Sequence, residues 1–127
     1  VRSVLVDTGF FFALSFEDDD HHQKADRLVK EGWLDTNIGR LLLPWPILYE
    51  TLNTRFLKQP ERLTWFDQIA RSEKTVLLDD TAYREAAFDM PLSHPAPARR
   101  PLSLVDKVLH GIIEDPNVPV SAMLTFD

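Results

Sequence analysis

Four acidic residues occupy positions where folding has no use for an acid: Asp7, Glu50, Asp106 and Asp127. Each interrupts or closes an apolar stretch: Val4-Leu5-Val6-Asp7, Pro46-Ile47-Leu48-Tyr49-Glu50, Leu104-Val105-Asp106 and Ala122-Met123-Leu124-Thr125-Phe126-Asp127. A carboxylate in such a segment is costly unless it is paired or metal-bound. If the fold gathers these acids, they repel one another. Two carboxylates about 4 Å apart cost about 4 kcal/mol at an effective dielectric of about 20. A shared divalent cation offsets that repulsion, and Mg2+ prefers oxygen ligands. The chemistry open to such a cluster is that of a metal-dependent enzyme.

The elements that must position these acids alternate between strand and helix. Ser3 to Val6, Arg40 to Leu43, Thr75 to Leu78 and Ala122 to Phe126 read as short apolar strands without polar alternation. Between them, helical spacing runs over Phe10 to Phe16, His21 to Trp33, Pro46 to Phe56, Glu61 to Arg71, Ala82 to Met90 and Ser103 to Asp115. Asp7-Thr8-Gly9 reads as a turn, and Pro91 to Pro101, with four prolines, as the one long loop. This order predicts an α/β fold with a central parallel sheet covered on both faces, in a single domain over residues 1–127. In such sheets sites form outside the carboxyl ends of the strands, where Asp7 and Asp127 fall.

Each acid also has an ordinary structural reading. Asp7 is a good N-cap for the helix that follows it. Glu50 sits on a mixed helical face within reach of Arg55 or Lys58. Ser103-Leu104-Val105-Asp106 fits a capping box, although Asp is a weaker partner there than Glu or Gln. Asp127 ends the sequence. Thr8, Ser103 and Thr125 sit beside acids and either orient them or serve as turn, cap and strand residues, the second reading being favoured for Thr125. His21 and His22 are adjacent and point to different helix faces, so they do not share an ion. His22 is expected to anchor the loop after Asp20.

The ordered set of stretches resembles the PIN domain, in particular the small VapC-like ribonuclease toxins. The matching residues are Leu5-Val6-Asp7-Thr8-Gly9, His22-Gln23-Lys24-Ala25, Tyr49-Glu50-Thr51-Leu52-Asn53, Ser103-Leu104-Val105-Asp106 and Leu124-Thr125-Phe126-Asp127. The resemblance implies a three-layer α/β/α sandwich and a Mg2+- or Mn2+-dependent endoribonuclease cleaving single-stranded or structured RNA. Asp7, Glu50, Asp106 and Asp127 become both metal ligands and catalytic residues, with Thr8, Ser103, Arg99 and Arg100 as substrate contacts. It also implies an antitoxin partner and admits a homodimer. The family normally continues past its last acid, so further residues after Asp127 are expected.

Composition narrows the classes. The chain has 127 residues, no cysteine and a net charge of −6. Thiolate zinc sites and Cys nucleophiles are excluded, and a reducing, cytoplasmic setting fits. A broad basic surface is excluded, so cations for RNA must sit locally at the rim: Arg55, Lys58, Arg99, Arg100 and Lys107. The longest early apolar run, Phe10 to Leu14, is far short of the ~20 residues of a membrane span. Phe10-Phe11-Phe12 and Trp33 point either to a buried first helix or to a partner surface. Rival functions are RNA maturation without a toxin role, a silent interaction module, and a phosphoacceptor domain. The last wants an acid pair after the first strand and a Lys after the last strand, and neither is present. Four acids kept without use would be a pure repulsion cost, which argues against a silent module.

Overall fold

A computed structural model of the chain describes residues 3–30, 39–53, 58–89 and 103–125. The described chain divides into two compact units, Val1–Leu78 with Val120–Asp127 and Asp79–Pro119. The first unit holds the whole sheet. Its strands are β1 (Ser3–Val6), β2 (Arg40–Pro44), β3 (Thr75–Leu78) and β4 (Ala122–Leu124). They lie in the order β3-β2-β1-β4, and every neighbouring pair is parallel. The fold is therefore α/β with a wholly parallel sheet, as the alternation of elements predicts.

β1 is central, and all four of its residues are buried. That explains its lack of polar alternation, because a strand covered on both faces has no solvent side. Leu5 lies opposite Leu42 on one side and Met123 on the other. The helices of this unit are α1 (Thr8–Ser15), α2 (His22–Lys30), α3 (Trp45–Leu52) and α4 (Pro60–Ala70). Pro44 caps α3, Pro46 lies in its first turn, and Pro60 opens α4. Proline suits a first turn because its missing N–H has no partner there anyway. Asp7-Thr8-Gly9 is not a free turn. Asp7 caps α1 directly, so Thr8 and Gly9 already belong to the helix.

The three consecutive phenylalanines settle inside this unit. Phe10 and Phe11 are buried, Phe11 meets Phe66 edge-to-face at 4.9 Å, and the half-buried Phe12 stacks on Phe16 at 5.4 Å. His22 anchors α2 to α1: its Nδ1 donates to the Ala13 carbonyl at 2.6 Å. Trp33 lies outside the described residues, as does Arg55.

The second unit contains α5 (Thr81–Asp89) and α6 (Leu104–Glu114), which pack together. Gly111 permits their close approach, since a methyl there would come within 3.2 Å of Tyr83 Cδ1. The Tyr83 hydroxyl donates to Asp115 Oδ2 at 2.5 Å. That bond, with the Asn117 N–H behind it, holds the Asp115 carboxyl below its usual range, and it pushes the Tyr83 phenol up to about 12. The two shifts define a window. The contribution of Asp115 is complete above the ordinary carboxylate value of about 3.9 and fades as pH falls through its lower folded value. The contribution of Tyr83 is complete below about pH 10 and fades as pH rises through about 12. Tyr83→Phe is therefore expected to lower the urea midpoint slightly from about pH 4 to 10, with the difference from the parent shrinking on either side. Urea denaturation at about pH 3, 7 and 11 would check it.

Candidate active site

The site grows from the carboxyl end of β1. β4 pairs Leu124 with Val6, and the Asp7 N–H continues the ladder to the Leu124 carbonyl at 3.0 Å. One step further the chain stops pairing, and Asp7 turns to cap α1. Its Oδ1 accepts the Thr8 N–H at 2.7 Å, and its Oδ2 accepts the Thr125 hydroxyl at 3.1 Å. Asp7 is only 4% exposed, and among the described residues it is the one buried carboxylate. Its plane is fixed from both sides by groups on two different elements. Each oxygen of an ionised carboxylate can accept more than one bond, so a ligand can still be met.

Thr8 adds a second link. Its hydroxyl accepts from Thr51 Oγ1 at 3.4 Å, and both residues are buried. Thr51 is the residue after Glu50 on α3. The start of α1 and the last turn of α3 are thus joined through the hydroxyls next to the acids. Glu50 itself is exposed and makes no ion pair with Lys58.

Asp106, in the second unit, forms the capping box that its spacing allows. Its N–H donates to Ser103 Oγ at 3.1 Å, and its Oδ2 accepts the Ser103 N–H at 3.2 Å. One carboxylate oxygen and the Ser103 hydroxyl are thereby engaged in the cap. A carboxylate in this first turn is also favoured by the helix dipole. Asp127, Arg99 and Arg100 lie outside the described residues. Lys58 is exposed just before α4, and Lys107 is half-buried on α6. Among the described residues no three of His, Asp or Glu come together as a group able to hold a metal.

Thr51 is the participant that the reading of the acids passed over. Its signal was available: Ile47, Leu48 and Thr51 share one helical face, and that face is buried. A hydroxyl at a core position must find a partner. Thr125 carries more weight than its strand-residue reading, because its hydroxyl fixes the Asp7 carboxylate.

No family model and no curated protein matches the chain. Among solved structures, it superposes on Mycobacterium tuberculosis VapC20, a toxin that cleaves the sarcin–ricin loop. The TM-score is 0.74 at 21% identity, covering 98% of this chain and 89% of that one. No described helix is long and apolar enough to cross a membrane. The parallel sheet of order β3-β2-β1-β4, with an anchored carboxylate leaving β1, belongs to an α/β fold that the chain shares with that solved structure.

Proposed function

We propose that the protein is a Mg2+- or Mn2+-dependent endoribonuclease that cuts single-stranded or structured RNA, acting in the cytoplasm as the toxin of a toxin–antitoxin pair. On this reading both units together make one nuclease domain. The observation that carries it is Asp7: a buried carboxylate at the carboxyl edge of a parallel sheet, held by Thr8 and Thr125 and linked through Thr8 and Thr51 to the helix bearing Glu50. Burying an acid is expensive, and here the surroundings orient it instead of replacing it.

The donor set suits a hard cation. It offers carboxylates and hydroxyls, the chain has no thiol, and the His22 imidazole is committed to a carbonyl. Asp7, Glu50, Asp106 and Asp127 would hold the ion. When bound, the ion supplies charge neutralisation for the scissile phosphate and lowers the pKa of water. The chain's own part is orientation. Thr125 and the Thr8 N–H keep the Asp7 oxygens aimed, Thr51 steadies Thr8, and Ser103 fixes the rotamer of Asp106. Arg99 and Arg100 would meet the RNA backbone.

The test is direct. The protein is stripped with chelator and given a labelled RNA with and without Mg2+ or Mn2+. Cleavage restored by metal supports the reading; a folded protein that cuts no RNA under any of these conditions removes it. Thr125→Val is expected to weaken Mn2+ binding by about 10- to 100-fold, because an outer partner of a ligating carboxylate is lost. Calorimetric titration of Mn2+ measures this independently of turnover.

A further inference from the structure

An acidic chain must hold RNA by something other than a general positive field, and α3 offers an uncharged means. Trp45 and Tyr49 lie one turn apart on this helix, with ring centroids 6.1 Å apart and planes inclined at 42°. They are 39% and 69% exposed. At that inclination the rings are not stacked on each other, so a flat face remains for a third ring. Their place in the fold matters. The β1–β2 register pairs Leu5 with Leu42, so Asp7 and Pro44 leave neighbouring strands at the same edge of the sheet. Trp45 is the next residue. At 100° per residue, Tyr49 lies on the exposed face of α3 between the flank of Trp45 and the flank of Glu50.

A cation, Arg71, lines a groove of about 420 Å³ that Trp45 also borders. Arg71 gives its Nε to Asp67 at 2.8 Å, and a guanidinium has further N–H donors to offer a phosphate. The rest of the groove is mainly apolar, lined by Leu48, Leu52, Leu63, Phe66, Ala70 and Leu77, so it is the exposed rings and the Arg71 guanidinium, and not the groove floor, that fit a nucleotide.

We propose that Trp45 and Tyr49 form a stacking platform for one base of single-stranded RNA next to the scissile phosphate. The inference rests on the ribonuclease reading and names the substrate-positioning residues of that site. Stacking is sequence-tolerant and needs no net positive charge, which suits a chain of charge −6.

The experiment measures binding instead of cleavage. The full chain carrying Asp7→Asn, with chelator present, is titrated with a short labelled single-stranded RNA while anisotropy and tryptophan fluorescence are followed. Tyr49→Ala and Trp45→Ala are each expected to weaken binding by about 5- to 100-fold, with Trp45→Phe restoring most of it. The slope of affinity against salt stays unchanged, because stacking displaces no counterions. Ile113→Ser, at an exposed apolar residue of the second unit, leaves affinity unchanged. Binding by Tyr49→Ala equal to that of its parent overturns the platform and leaves the nuclease reading standing. A parent that binds no RNA overturns both. A change in oligomeric state with unchanged RNA affinity assigns the rings to a contact between copies, and the platform falls.

Discussion

Asp7→Asn is expected to reduce RNA cleavage by about 100-fold or more while leaving the fold intact. The two halves of that expectation have different causes. Asn accepts the Thr8 N–H as well as Asp does and is an equally good N-cap, so α1 keeps its start. With the Asn oxygen facing Thr8, the amide nitrogen faces Thr125, whose hydroxyl can accept from it. What disappears is the negative charge. A bound divalent ion supplies several kcal/mol to a phosphoryl transition state, and each ~1.4 kcal/mol is a factor of about ten in rate. Single-turnover cleavage of labelled RNA, with thermal melting of the same sample, reads both. An Asp7→Asn variant that cuts as fast as its parent would remove Asp7 from the chemistry altogether.

Phe66→Ala is expected to lose about 3–5 kcal/mol of stability. Phe66 is 1% exposed and meets Phe11 edge-to-face at 4.9 Å with planes at 87°. The substitution removes a whole ring and leaves a cavity that α1 and α4 cannot close without moving. Against a total of about 5–15 kcal/mol for an ordinary domain, this is a large share. Phe66→Leu, which keeps most of the volume, should lose much less. The consequence reaches the site because Phe11 lies on the helix that Asp7 caps. Urea unfolding of the three proteins provides the measurement, and a midpoint for Phe66→Ala unchanged from the parent would contradict this account of the core.

Much of this was legible in the residues. Buried parallel strands declare themselves by lacking polar alternation, and β1 to β3 begin where their apolar runs begin. Proline marked helix starts, although Pro60 opens α4 instead of merely ending the helix before it. The cap at Ser103 followed from spacing alone. Less was legible where the outcome depends on three-dimensional partners. Asp7-Thr8-Gly9 looks like a turn until the Asp7 side chain is seen closing the first turn of a helix. Thr51 has the spacing of a core residue, but its partner is 43 positions away in the chain. Whether Phe10 and Phe11 face a core or a partner could be decided only by what packs over them, and Phe66 does so for Phe11. Exposure of Trp45 and Tyr49 likewise could not be read from a helix that is apolar on most sides.

The pairing of β4 with β1 joins residues 118 positions apart, as does the hydrogen bond from Thr125 to Asp7. During synthesis, everything needed for β1, β2 and β3 leaves the ribosome before β4 does. Until then β1, apolar on both sides, is the outermost strand of a three-stranded sheet and offers a bare edge for unwanted pairing. The carboxylate at its end also lacks the Thr125 donor. A polypeptide interrupted before residue 120 would therefore be sticky and would leave Asp7 without the hydroxyl of Thr125. On the ribonuclease reading, a cell making this protein is not exposed to its activity until β4 has been made and has paired with β1.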